Sequence, residues 1–202
     1  MTINTIIIDI ETLDTKPTAI ILSIGAFAFD RFNLNATLEN MKNTYFNEST
    51  STYHFYCVCD LNNQLLYSRR TISQSTLDWW RKQPSNNHKD IFLNNGKSLI
   101  LNKVLNALVN KIEEWKENNP EIMFYFRGTD FDPVILKNAF EEYGLSIPWK
   151  YNQVRDIRTY IDALNRTNSG YIKEHYSSFN FMKHNALHDA MSDAEQMCLV
   201  SK

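Results

Sequence analysis

The stretch Thr5-Ile6-Ile7-Ile8-Asp9-Ile10-Glu11-Thr12 sets two acids at the end of an otherwise apolar run. The run predicts a strand, and side chains alternate along a strand, so Asp9 and Glu11 point to one face. Two carboxylates that close repel each other unless a cation sits between them. Mg²⁺ and Mn²⁺ take oxygen ligands and suit such a pair. A strand running out into solvent would also carry acids. The rest of the chain has to decide between the two readings.

At 202 residues the chain fits one domain, or one domain with an elaborated insertion. Its 43% hydrophobic and 13% aromatic content suffices for a sizeable core. A net charge of -2 argues against coating nucleic acid through bulk charge, but not against gripping a few nucleotides locally. The first residues lack the basic start, long apolar core and cleavage site of a secretory signal. The longest apolar stretch, Ala19 to Phe29, is far too short to span a bilayer. The expectation is a soluble, cytoplasmic protein with no membrane partner. Cys57 and Cys59 share one face of a predicted strand, and Cys198 is distant. Even with His54 nearby they offer too few ligands for a zinc site, so packing is their expected role.

After the first strand, a polar turn around Lys16-Pro17-Thr18 leads to a second strand over Ile20 to Asp30. Leu34 to Thr52, rich in Asn, Ser and Thr, reads as a loop. Tyr53 to Asp60 is a third strand, and strands joined this directly are usually antiparallel neighbours. Ser75 followed by Asp78 resembles a helix start, just before Trp79 and Trp80. The polar stretch Pro84 to Lys97 interrupts the chain. Leu101, Val104, Leu105, Leu108, Ile112 and Trp115 then fall at helical spacing, and Pro120 closes that helix. A fourth strand over Glu121 to Phe126 precedes a helix over Pro133 to Tyr143, ended by Gly144. A short strand over Gln153 to Asp156 precedes a helix over Arg158 to Leu164. Asn165 to Met182 is polar and irregular. A final helix begins near His188, with Ala190, Ala194 and Met197 inward. This order predicts an α/β fold: a mixed five-stranded sheet, antiparallel strands first and parallel ones after, flanked by helices.

A second acidic signal lies at the junction of a strand and a helix, Phe126-Arg127-Gly128-Thr129-Asp130-Phe131-Asp132-Pro133. Open α/β sheets place ligand sites at such junctions. Pro133 suits the first helical position, which makes Asp132 a natural N-cap, and Asp130 is a competing ligand. The third signal is His184-Asn185-Ala186-Leu187-His188-Asp189, with Asp193 one turn later on the same helix face. A neutral imidazole at His184 can take a proton from water near neutral pH.

Together these residues resemble the three motifs of the DEDDh, or DnaQ-like, 3′–5′ exonuclease family. Asp9-Ile10-Glu11-Thr12, Phe131-Asp132, and His184 with Asp189 five residues on carry the likeness. Thr76-Leu77-Asp78-Trp79-Trp80, Arg127 through Leu136 and Asn152 through Thr159 extend it to the phage exonucleases of the DexA type and related bacterial 3′–5′ exoribonucleases. The resemblance implies one RNase H-like exonuclease domain over residues 1–202. It implies four metal-binding acids, Asp9, Glu11, Asp132 and Asp189, and His184 as general base. The choice of Asp132 over Asp130 rests on the family's Phe-Asp pattern. His188, before Asp189, is expected to pack on its helix.

Phosphodiester hydrolysis needs an activated water, a neutralised phosphate and a stabilised leaving oxygen. Two Mg²⁺ or Mn²⁺ ions about 3.5–4 Å apart can supply all three. The expected substrate is single-stranded DNA or RNA, cut from the 3′ end to mononucleotides. Ile10 and Thr12 flank the acids and are placed for the terminal nucleotide. Trp79 and Trp80 offer stacking surfaces, though adjacent helix positions face different ways and core packing is the alternative for both. Arg155 and Arg158 are candidates for phosphate contact, with an ion pair to Asp156 as the alternative. Arg69-Arg70 and Arg81-Lys82 are basic pairs of a kind that usually faces water. The oligomeric state stays open, a homodimer being one expectation. Two other readings compete: a non-catalytic nucleic-acid-binding module on the same fold, and an RNase H-like endonuclease.

Overall fold

The computed structural model describes residues 2–47, 51–84, 89–92, 96–117, 119–173 and 177–201. Parts of three expected irregular stretches, 48–50, 85–88 with 93–95, and 174–176, lie outside the described residues.

The opening run forms strand β1, Thr5–Thr12, at the centre of a five-stranded sheet. It pairs antiparallel with β2, Ile21–Phe29, which pairs antiparallel with β3, His54–Val58. On its other side β1 pairs parallel with β4, Met123–Phe126, which pairs parallel with β5, Val154–Asp156. The order β3-β2-β1-β4-β5 is the mixed, antiparallel-then-parallel sheet of an RNase H-like fold.

Alternation along β1 divides the core in two. Ile6, Ile8 and Ile10 face helices α5, Leu101–Lys116, and α6, Asp132–Glu142. Ile7 faces α7, Ile157–Asn165, and α8, Ala186–Val200, together with Phe27 and Phe29. Asp9 and Glu11 continue the Ile7 row and therefore rise on the α8 side. Burying these rows at about 25 cal/mol per Å² is the main force that fixes both layers.

Several elements differ from the sequence expectation. Leu34–Phe46 is a helix, α1, where a loop was expected. Asn33 caps it by accepting from the Ala36 N–H, and Thr37, Met41 and Thr44 are buried. The polar residues on that inner face dilute the apolar stripe that would have marked it. Leu61–Tyr67 forms α2 in a stretch given no element, and Lys89–Phe92 forms a short helix, α4. The tryptophan helix, α3, spans Gln74–Lys82 and is capped by Ser73, not Ser75. The Ser73 hydroxyl accepts from the Thr76 N–H at 3.1 Å, while Asp78 pairs with Arg81 at 2.7 Å. Arg70 does not face water: its Nε donates to the Ala19 carbonyl and its Nη1 meets Glu142 at 2.9 Å. A buried guanidinium needs such partners to offset its desolvation. Cys57 and Cys59 pack against the α5 side of the core, as expected. Among the described residues, no helix is long and apolar enough to cross a membrane.

Candidate active site

Strand β1 is longer than its parallel neighbour. It pairs with β4 only over Thr5–Ile7, so Asp9 to Thr12 run past the end of β4 and border a crevice. Such crevices beyond the carboxyl ends of parallel strands are where α/β sheets bind ligands. The start of α6 fills one side of it. Ile10, lacking a strand partner there, donates its N–H to Asp132 Oδ1 at 3.3 Å. Asp132 is therefore not the N-cap expected from sequence. It is the first helical residue, Phe131 occupies the cap position without a side-chain bond, and the carboxylate turns to β1. Asp130 is exposed and does not line the crevice.

The start of α8 closes the opposite side. Gly25, paired with Asp9 across the sheet, lies directly beneath it. A Cβ on Gly25 would come within 2.2 Å of the Leu187 nitrogen. The missing side chain lets the first turn of α8 rest on the sheet. Asn185 caps that turn by accepting from the Leu187 and His188 N–H groups. Asp189 in the same turn accepts from the His184 N–H at 2.9 Å, a clip that holds His184 with φ 62°. A non-glycine residue in that left-handed region is held there by its surroundings.

The result is a cleft of about 590 Å³. Asp9, Ile10, Glu11, Thr12, Trp79, Trp80, Asp132, Arg158, His184 and Asp189 all line it. The candidate catalytic and metal residues Asp9, Glu11, Asp132, Asp189 and His184 thus reach one cavity with Ile10, Thr12, Trp79 and Arg158, while the other candidates Asp130 and Arg155 do not. Glu11, His184 and Asp189 each place a ligand atom within 4.8 Å of the others. The two tryptophans separate as adjacent helix positions must. Trp80 is 3% exposed and donates Nε1–H to the Thr12 carbonyl. Trp79 is 41% exposed, so core packing does not describe it, and its ring meets His184 edge-on at 4.7 Å. Arg155 is exposed, lies outside the cleft and donates to the Asn152 and Val154 carbonyls. Asp156 caps α7 through the Thr159 N–H. His188 accepts from the Met182 N–H through Nδ1 at 3.0 Å, pinning the chain ahead of His184.

Electrostatics follow from the crowding. Burial, then Asp132, Glu11, Asp189 and Asp193, push Asp9 well above the usual carboxylate range. Burial, then Asp189 and Asp132, do the same to Glu11. Burial pushes Asp132 up to about 7 against the pull of the Ile10 N–H. Burial and Asp193 push Asp189 up to about 7. Burial and Lys183 lower His184, which keeps its imidazole neutral near pH 7.

Sequence reasoning missed the ion pair behind this cluster. Arg127 Nε meets Asp193 Oδ1 and Oδ2 at 3.0 and 2.9 Å, and Nη2 meets Oδ1 at 2.6 Å. Its Nη1 donates to the Gly170 carbonyl at 2.8 Å. A bidentate guanidinium offsets the charge of Asp193, leaving the four other acids as the uncompensated group. Arg158 Nη1 donates to the Arg127 carbonyl, and Gly128, at φ 109°, leaves room for it. Asp14, also unforeseen, lines the cleft and is buried. A lone glycine in an apolar strand was the available signal for Gly25.

Clustered acids and one histidine fit divalent cations: oxygen ligands dominate, and their mutual repulsion favours ions that would relieve it.

A family model described as the 3′–5′ exoribonuclease Rv2179c-like domain matches residues 4–200. Among solved structures, the chain is similar to cell-death related nuclease 4 (CRN-4), with a TM-score of 0.56 and 13% identity. That alignment covers 98% of this chain and 64% of CRN-4, so the chain spans less than two thirds of that nuclease. At this identity the likeness speaks for the fold alone. No curated protein sequence matches the chain. With nearly its whole length matched, the chain belongs to the Rv2179c-like 3′–5′ exoribonuclease domain family.

Proposed function

We propose that residues 1–202 act as one domain, a metal-dependent 3′–5′ exonuclease on single-stranded nucleic acid, with RNA favoured by the family's description. The observation that carries this reading is the convergence of Asp9, Glu11, Asp132, Asp189 and His184, from three distant stretches, on one cleft. A binding module would gain nothing from acids that repel a phosphate backbone.

The four acids would hold two Mg²⁺ or Mn²⁺ ions, which when bound neutralise phosphate charge and make water more acidic. His184, neutral and beside Glu11 and Asp189, takes the proton of the attacking water. Such general-base help is worth about 10²–10⁴-fold. The water oxygen bonds to the terminal phosphorus and the P–O3′ bond breaks. The departing 3′ oxygen gains a proton, and a nucleoside 5′-monophosphate leaves. Ile10, Thr12 and Trp79 line the space for that terminal nucleoside, and Arg158 lines the same cleft as a cation for its phosphate.

Digestion of matched 5′-labelled DNA and RNA single strands with Mg²⁺ or Mn²⁺ tests the reading. Stepwise shortening from the 3′ end, stopped by EDTA, is the expected result. Binding without turnover points to the non-catalytic module. Internal cuts in a circular single strand point to the endonuclease.

Metal linkage gives an independent check on the cluster. Burial pushes Asp132 and Asp189 up to about 7 in the folded chain, against an ordinary 3.8. A folded pKa above the unfolded one adds stability that is present at low pH and lost as pH rises through the folded value. The cluster therefore lowers the melting temperature of metal-free protein as pH rises from about 4 to about 8. Mn²⁺ should raise melting temperature more at the upper end of that window than at the lower. An increment independent of pH across the window would count against the clustered acids as the ion's ligands.

A further inference from the structure

The cleft has a second arm, which the hydrolysis described above leaves unused. It encloses about 580 Å³ on the α8 side of the acids. Asp9, Arg127, His184 and Asp189 line both arms and so form their common wall. A phosphodiester seated at that wall carries a nucleoside on each side. The first arm, beside Ile10, Thr12 and Trp79, takes the terminal one. The nucleoside before it must leave in another direction, and the second arm opens at the same wall.

The chemistry of the second arm suits a base. Tyr171 lines it and is 47% exposed. The Arg127 guanidinium lies 4.0 Å from the Tyr171 ring centre and is itself fixed by Asp193 and the Gly170 carbonyl. The ring is thus mounted on a rigid support, which limits the ordering cost of a stacked partner. Asp193 offsets the charge of Arg127, so the floor beneath the ring favours a flat neutral group over a phosphate. Phe179 and Phe181 add apolar wall, and exposed Lys183 stands at the rim where a backbone phosphate would pass.

We infer that the second arm is a subsite for the penultimate nucleoside of a single-stranded oligonucleotide, with Tyr171 as its stacking platform. Stacking of this kind tolerates any base. The inference rests on the nuclease reading, so its test uses two substrates. A dinucleotide fills both arms. The p-nitrophenyl ester of thymidine 5′-phosphate fills the first arm and offers only a small leaving group to the second.

Steady-state kinetics of the full chain with Mn²⁺ should show Tyr171→Ala losing kcat/KM on the dinucleotide roughly 5- to 100-fold more than on the ester. Tyr171→Trp should recover most of that difference. Tyr171→Leu keeps bulk over Arg127 without an aromatic face, and should show the same selective loss if Tyr171→Ala is too unstable to assay. Equal losses on both substrates would make Tyr171 a structural prop and overturn the inference. Retained dinucleotide turnover in the Ala and Leu variants would also overturn it. Wild-type protein that hydrolyses neither substrate removes the nuclease reading, and the inference with it.

Discussion

Asp9→Asn should lose nuclease activity by more than about 10³-fold, beyond the cost of deleting one transition-state donor. The same variant should be more stable than the parent when metal-free. The two effects share one cause. Asp9 sits amid Asp132, Glu11, Asp189 and Asp193, all of which raise its pKa. Those repulsions are what divalent ions would relieve, and the folded chain bears them otherwise. Asparagine keeps the shape and removes the charge. A gain of about 1 kcal/mol would raise the melting temperature by roughly 2–4 °C in a domain of this size. Melting curves in EDTA, with end-labelled digestion in Mn²⁺, read both sides. Full activity in the variant would refute the assignment of Asp9. Lost activity with a large drop in metal-free melting temperature would make Asp9 a folding residue instead.

Gly25→Ala should be the most damaging of the five glycine-to-alanine changes. The added Cβ would stand 2.2 Å from the Leu187 nitrogen, 2.3 Å from the Ala186 carbonyl carbon and 2.6 Å from its oxygen. All three are backbone atoms, so no rotamer can yield and α8 itself has to lift. Overpacking of this kind costs about 1–3 kcal/mol, occasionally more. The upper part of that range corresponds to a fall of roughly 6–12 °C in melting temperature. Lifting the first turn of α8 also moves Asp189 and the clip that holds His184. A displacement of about 1 Å can cost about 10²-fold in rate. Thermal melts and digestion assays should therefore fall together. A variant that melts and cuts like the parent would show that α8 does not need its close seat on the sheet.

The sheet was legible because its strands announce themselves. The Thr5–Thr12 run, the apolar Ile21–Phe29 run and the helix stop at Gly144 ahead of β5 leave few alternatives. Helix α5 was equally plain, since its buried positions follow the helical period without a break. Helix α1 was not, because Thr37, Asn40 and Thr44 occupy its buried face alongside Met41. Arg70 was misread for a related reason. Nothing within a few residues of it in sequence shows that Glu142 and the Ala19 carbonyl wait for it.

The candidate site divides in the same way. The sequence by itself determined the residue types and the strand and helix ends that carry them: Asp9 and Glu11 on one face, an acid opening α6, and a histidine ahead of α8. Only the tertiary structure decided that Asp132 turns to the Ile10 N–H of β1, and that Asp130 stays outside. It also decided that Trp79 opens to the cleft while Trp80 is buried, and that Arg127 is committed to Asp193. The reason is physical. Strand alternation, helical period and capping act between neighbours a few positions apart, and so can be read along the chain. The direction a buried charge takes depends on partners brought close by folding, here as far apart in sequence as Ile10 and Asp132.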